Sequence, residues 1–157
     1  MVLSRILSLL PRKEIWLDGN RYLTRWYLFG FKGRHVVLHR FTGPDPDRAL
    51  HTHPWSNSFS IGLRGRYDEV YATNYCTTSG PVKKRRTINL FNYISGTRLH
   101  RIAYLHTPTV WTLFFMGKRR AKWGFLDKEE WFKTPDLRNS NKWVFIPYYM
   151  RTVPELH

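Results

Sequence analysis

Short apolar stretches recur along the chain with a period of two, separated by Gly, Pro, Asn and Asp. Alternation predicts strands at Tyr22–Phe29, Val36–Phe41, Ser58–Leu63, Tyr67–Thr73, Thr87–Asn92, Arg98–Leu105, Val110–Met116 and Lys142–Ile146. His106-Thr107-Pro108-Thr109 reads as a hairpin loop, and Gly62 and Gly65 as a bend between strands. In Val110–Met116 both alternating sets are largely apolar, so this strand is expected to be covered on both sides. Helical spacing is confined to the ends. Leu3, Ile6, Leu7 and Leu10 form an i, i+3, i+4, i+7 stripe, expected to be a short amphipathic helix packed on the domain. Asp127–Phe132 is expected to be one helical turn capped by Asp127. The sum is an all-β barrel or jelly roll with short terminal helical segments.

Composition narrows this reading. The 157 residues make one domain, 1–157, with 1–14 as a peripheral N-terminal segment and 133–157 as a C-terminal extension. Hydrophobic residues at 42% exclude bulk disorder. A single cysteine, Cys76, excludes an internal disulfide framework and a cysteine-based zinc site. No apolar run approaches the roughly 20 residues of a membrane span, and a cytoplasmic location is expected. Twenty-six Lys and Arg against 11 Asp and Glu give a net charge of +15. That charge fits either a solvated basic surface or a polyanion-binding one, with Lys83, Lys84, Arg85 and Arg86 as the patch for nucleic acid.

The chemistry-bearing stretch is Asp45-Pro46-Asp47-Arg48-Ala49-Leu50-His51-Thr52-His53-Pro54-Trp55. In a strand, His51 and His53 point to one face, about 6.6 Å apart along the backbone, where two neutral imidazoles can share a metal ion. Two hydrogen-bonded histidines without metal fit the same spacing. If the alternation continues, Trp55, Asn57, Phe59, Ile61 and Leu63 share the histidine face, and small Ser58, Ser60 and Gly62 lie opposite. The apolar histidine face would then point inward. A second segment, Ile94-Ser95-Gly96-Thr97-Arg98-Leu99-His100, places a histidine on a strand four residues after a glycine turn.

Together these segments resemble the two motifs of the cupin superfamily. Leu38-His39-Arg40-Phe41, Tyr22 to Tyr27, Trp111 to Phe114 and Trp123-Gly124-Phe125 resemble a group of small cupin-like proteins of tailed bacteriophages and prophages, which would place the protein in host cytoplasm. The likeness covers roughly residues 15–132. It departs from the pattern twice: no carboxylate follows the first motif, where Ser56 and Asn57 stand, and Ile94 replaces the second motif's proline. The resemblance therefore implies three histidine ligands, His51, His53 and His100, for a divalent metal such as Fe(II), Mn, Ni, Cu or Zn. Three neutral ligands leave coordination positions open, as in catalytic sites. It implies a metal-dependent enzyme, dioxygenase-like in ligand set, acting on a small organic molecule; an inactive cupin scaffold with a nucleic-acid or structural role is the alternative.

Around that centre, His39 reads as a fourth ligand, an acid–base group or a core histidine. Arg98 and Tyr104, on the His100 face by alternation, read as substrate-orienting groups. Asp47 could orient a ligating ring, and Glu69, on the next strand, could replace the missing carboxylate. His106 and His35 read as loop residues, and edge strands are compatible with a homodimer.

Overall fold

The computed structural model describes residues 2–17, 19–45, 49–128 and 143–147. Helix α1 (Val2–Leu9) leads into β1 (Arg12–Leu17), β2 (Asn20–Phe31), β3 (Arg34–Phe41), β4 (Leu50–His51), β5 (Asn57–Arg64), β6 (Tyr67–Ala72) and β7 (Tyr75–Cys76). There follow β8 (Gly80–Pro81), β9 (Lys84–Ile88), β10 (Phe91–Ser95), β11 (Leu99–Leu105), β12 (Val110–Met116), β13 (Gly124–Lys128) and β14 (Trp143–Pro147). Two six-stranded antiparallel sheets form, in the orders β1-β2-β3-β12-β5-β10 and β14-β13-β4-β11-β6-β9, with β7-β8 as a separate ribbon. No described helix is long and apolar enough to cross a membrane.

Alternation decides which side chains enter the space between the sheets. On β3 these are Val37, His39 and Phe41; on β12 they are Val110, Thr112, Phe114 and Met116, all buried. One apolar cluster gathers Leu23, Phe41, Tyr67, Ile88, Ile102 and Val110. Another gathers Val37, Ile94, Phe114 and Met116, with Tyr27 and Trp55 against it. His39 sits between Val37 and Phe41 in sequence, on the same face of the strand, so a polar layer separates the two clusters.

Several expectations are corrected. β5 alternates as expected but with the opposite face inward: Ser58 and Ser60 are buried, while Phe59 stacks on Phe91 at 5.7 Å, with Leu63 exposed nearby in sequence. The cause is the crossing at Thr52–Ser56, where Pro54 stands: β4 belongs to one sheet and β5 to the other, so the histidine parity does not run on. Small side chains suit the inward positions because Tyr67 fills the space there, its hydroxyl in a hydrogen bond with Ser60.

The 106–109 loop is not a hairpin, since β11 and β12 lie in different sheets. Thr87–Asn92 is two strands, β9 and β10, broken at Asn89–Leu90 as the chain changes sheet. Asp127 and Lys128 belong to β13, where Asp127 pairs with Val144, so no helical turn starts at Asp127; residues 129–132 of that expected turn lie outside the described residues. Helix α1 forms, but Ile6 stands 52% exposed, so its expected stripe is only partly covered. His35 lies in β3 rather than in a loop, its ring edge-on to Tyr27.

Candidate metal centre

The centre begins with a crossing of two turns. Gly96 N–H donates to the Ser56 carbonyl at 2.8 Å, and a Cβ at residue 96 would lie 2.4 Å from the Trp55 carbonyl oxygen. Only glycine allows this approach. It clasps the loop after the His-x-His segment to the turn before β11. Thr52, between the two histidines, fixes their backbone from the other side: its N–H donates to the Gly124 carbonyl at 2.9 Å and its hydroxyl to the Lys122 carbonyl at 2.8 Å. His51 pairs directly with His100 across β4 and β11.

These constraints bring His51, His53 and His100 together, each offering a ring nitrogen within 4.8 Å of the others. His53 Nε2 lies 2.9 Å from His100 Nε2. Two nitrogens at that separation can reach one ion at about 2.0–2.1 Å each. Burial, followed by the neighbouring His100, His51, Arg25 and His39, holds His53 well below the usual histidine range, so it remains a neutral donor. The residues present fit a divalent ion.

Behind the rings lies a polar network of which the sequence disclosed only Glu69. His100 Nδ1 is 2.7 Å from Glu69 Oε1. Arg86 Nε donates to Glu69 Oε2 at 2.8 Å, and Asn92 Nδ2 donates to Glu69 Oε1 at 3.1 Å. Asn92 also accepts from Arg86 Nη2 at 2.6 Å and donates to the Tyr67 hydroxyl at 3.0 Å. Burial opposes ionisation of Glu69, but bonds from His100 and Asn92 and the charge of Arg86 hold it down at about 2. Glu69 is thus an ionised group that orients His100, with its second oxygen given to Arg86. A signal for Asn92 did exist: it shares the inward parity of β10 with Ile94, an unsatisfied amide unless a partner waits inside.

The other expected residues divide. His39 is buried, stacks on Phe114 at 4.9 Å, and accepts a hydrogen bond at Nε2 from Arg25 Nε at 2.9 Å, so that nitrogen is already engaged. Arg98 precedes β11, donates to the Tyr93 carbonyl and lies 5.5 Å from the Tyr71 ring centre. Tyr104 does not share the His100 face. The register shift between Ile102 and Tyr104 turns it outward, 53% exposed, against His106. Asp47 lies outside the described residues. His106 is remote from the centre in its partners, bonding Asp68 Oδ1 at 2.8 Å.

The basic run is partly engaged within the fold. Arg85 donates to Asp68 Oδ2 at 2.9 Å through Nε, and Arg86 serves Glu69, so two of its four cations are neutralised by carboxylates of β6. A cleft of about 540 Å³ opens beside Thr52, Ser56, Thr97, Arg120 and Lys122, and the three histidines are not among its lining residues.

No protein-family model matches the sequence, and no curated protein sequence matches it. Similarity emerges among solved structures. Fe(II)-HppE with the alternative substrate (S)-1-HPP aligns with a TM-score of 0.54 at 14% identity, over 70% of this chain and 57% of that one. Fe(II) HppE alone gives 0.52 at 15% identity over 69% and 57%. A cupin-2 domain from Rhodospirillum rubrum gives 0.51 at 12% identity, over 73% of each chain. The chain spans little more than half the length of HppE, and the common ground is the fold: a cupin β-barrel.

Proposed function

We propose that the protein is a metal-dependent cupin enzyme acting on a small organic substrate. The observation that carries this is the His100 ring, tied at Nδ1 to buried Glu69 and turned at Nε2 toward His53 Nε2, 2.9 Å away. A histidine used only for packing needs an acceptor at Nδ1 but does not use the basicity that an ionised carboxylate confers. A ligating histidine does, because the partner fixes its tautomer and raises its basicity.

His51, His53 and His100 would hold the ion, and Glu69 would orient His100. A divalent metal there supplies Lewis acidity, or oxygen-dependent chemistry if it is iron. Three neutral ligands leave positions for substrate. Trp55, 5.1 Å from His53 ring to ring, and Phe114, at 6.2 Å, wall the centre and restrict water. HppE carries Fe(II), which makes iron the first metal to test.

The test is metal content by mass spectrometry on protein purified without chelator and reloaded with Fe(II), Mn, Ni or Zn. A His51→Ala/His53→Ala variant serves as the comparison. Near-stoichiometric metal in the parent and none in the variant is expected. No uptake of any of the four metals by a folded parent protein overturns the proposal.

A further inference from the structure

Arg25 enters the barrel from β2, on the face that pairs across to His39. It is half-buried, and its guanidinium carbon lies 5.7 Å from the centre of the Trp55 ring, the same ring that packs against His53. Among the described residues it forms no ion pair. The carboxylates that do pair are taken elsewhere: Glu14 by Arg21, Asp68 by Arg85 and His106, Glu69 by Arg86 and His100.

A guanidinium drawn out of water without a counter-ion is costly, and a bound anion would relieve that cost. Burial lowers the Arg25 pKa while the Tyr27 hydroxyl opposes that shift, yet arginine remains charged. The bond from Nε to His39 fixes the plane of the fork, and the Tyr27 hydroxyl bonds the same guanidinium, leaving its remaining N–H groups to meet an oxyanion. The electrostatic sum agrees. Glu69 is taken up by Arg86 and His100, and no ion pair among the described residues offsets the charge of Arg25.

We infer that Arg25 anchors the negatively charged end of the substrate, so that the protein acts on a small organic oxyanion, a carboxylate or a phosphate. The inference rests on the metal-centre reading for its catalytic meaning, though not for the anion contact itself. It moves to Arg25 the role that alternation had suggested for Arg98, whose guanidinium already serves the Tyr93 carbonyl.

The test follows the arginine side chains directly. Full-length protein carrying ¹⁵N-labelled arginine is titrated with inorganic phosphate, with acetate, and with acetamide as the neutral control. The Arg25 Nε–Hε resonance is assigned by its disappearance in Arg25→Lys. A saturable shift of that resonance with phosphate or acetate, and none with acetamide, is expected; which anion saturates first tells phosphate from carboxylate. Arg25→Met should weaken the preferred anion at least tenfold, and Arg98→Met should leave it within twofold. An Arg25 resonance indifferent to both anions, or an Arg25→Met protein with undiminished affinity, overturns the inference. Should Arg25→Met fail to fold, the wild-type titration decides alone. Metal content, measured on the same samples, reads the histidine centre separately. Metal uptake with a silent Arg25 overturns this inference only, and a responsive Arg25 without metal uptake supports the anion contact while overturning the centre.

Discussion

Glu69 Oε1 lies 2.7 Å from His100 Nδ1, with both side chains buried between the sheets. The carboxylate fixes the proton on Nδ1 and leaves Nε2 as the lone-pair donor. Glu69→Gln keeps the shape but loses the charge. Metal affinity is expected to fall 10- to 100-fold, in line with losses typical for such partners, as read by competition with a chelating dye.

Arg86 is the counter-charge of that carboxylate, with Nη2 2.7 Å from Glu69 Oε2. Arg86→Met would leave the buried carboxylate without its guanidinium, held only by His100 and Asn92, at a cost of up to about 3–5 kcal/mol. Lys83→Ala and Lys84→Ala, in the same basic run, should shift stability by less than about 0.5 kcal/mol. Urea denaturation of the three variants checks this. A small effect of Arg86→Met would return that residue to the surface patch the sequence suggested.

The fold depresses Glu69 from 4.5 to about 2. A depressed carboxylate favours the folded state wherever it is ionised. Its contribution is fully present above about 4.5 and is lost as the pH falls toward about 2. Asp68 is lowered in the same sense, by hydrogen bonds from His106, Thr87 and Arg85. Denaturation midpoints should therefore drop steeply across that acid window, and Glu69→Gln should flatten the drop. A slope unchanged in the variant would mean that Glu69 is not held ionised by its partners.

Gly65 joins β5 to β6 where the chain changes sheet, with φ at +77°. A Cβ there would meet Thr107 Oγ1 at 2.4 Å and the Thr109 carbonyl oxygen at 2.8 Å. Gly65→Ala combines a left-handed conformation with a backbone collision, and a loss above about 1 kcal/mol is expected in thermal or urea unfolding. Gly33→Ala, also at positive φ but with nothing within 4 Å, should lose less.

The strands, the all-β class and the three histidines were legible because each is written locally. A period of two marks a strand, and His51 and His53 are two residues apart. What was hidden depends on which sheet a strand joins. The face of β5, the split of β9 from β10 and the false hairpin at 106–109 all turn on crossings between sheets, which alternation does not encode. Arg86 read as surface charge because it stands in a run of four cations, although its strand parity turns it to Glu69. Arg25 passed unnoticed for the converse reason: an arginine between Thr24 and Trp26 looks like the solvent side of a half-buried strand, and only pairing with His39 places it inside.

The clasp of Gly96 onto Ser56 has a bearing on how the molecule folds. His53 and His100 are 47 residues apart, so their meeting closes a long loop, and the entropy lost grows with the logarithm of its length. That loss is recovered only when both sheets have come together around the turn crossing. The histidine cluster is therefore a product of completed folding, and an ion that binds it draws population from every partly assembled state toward the native one.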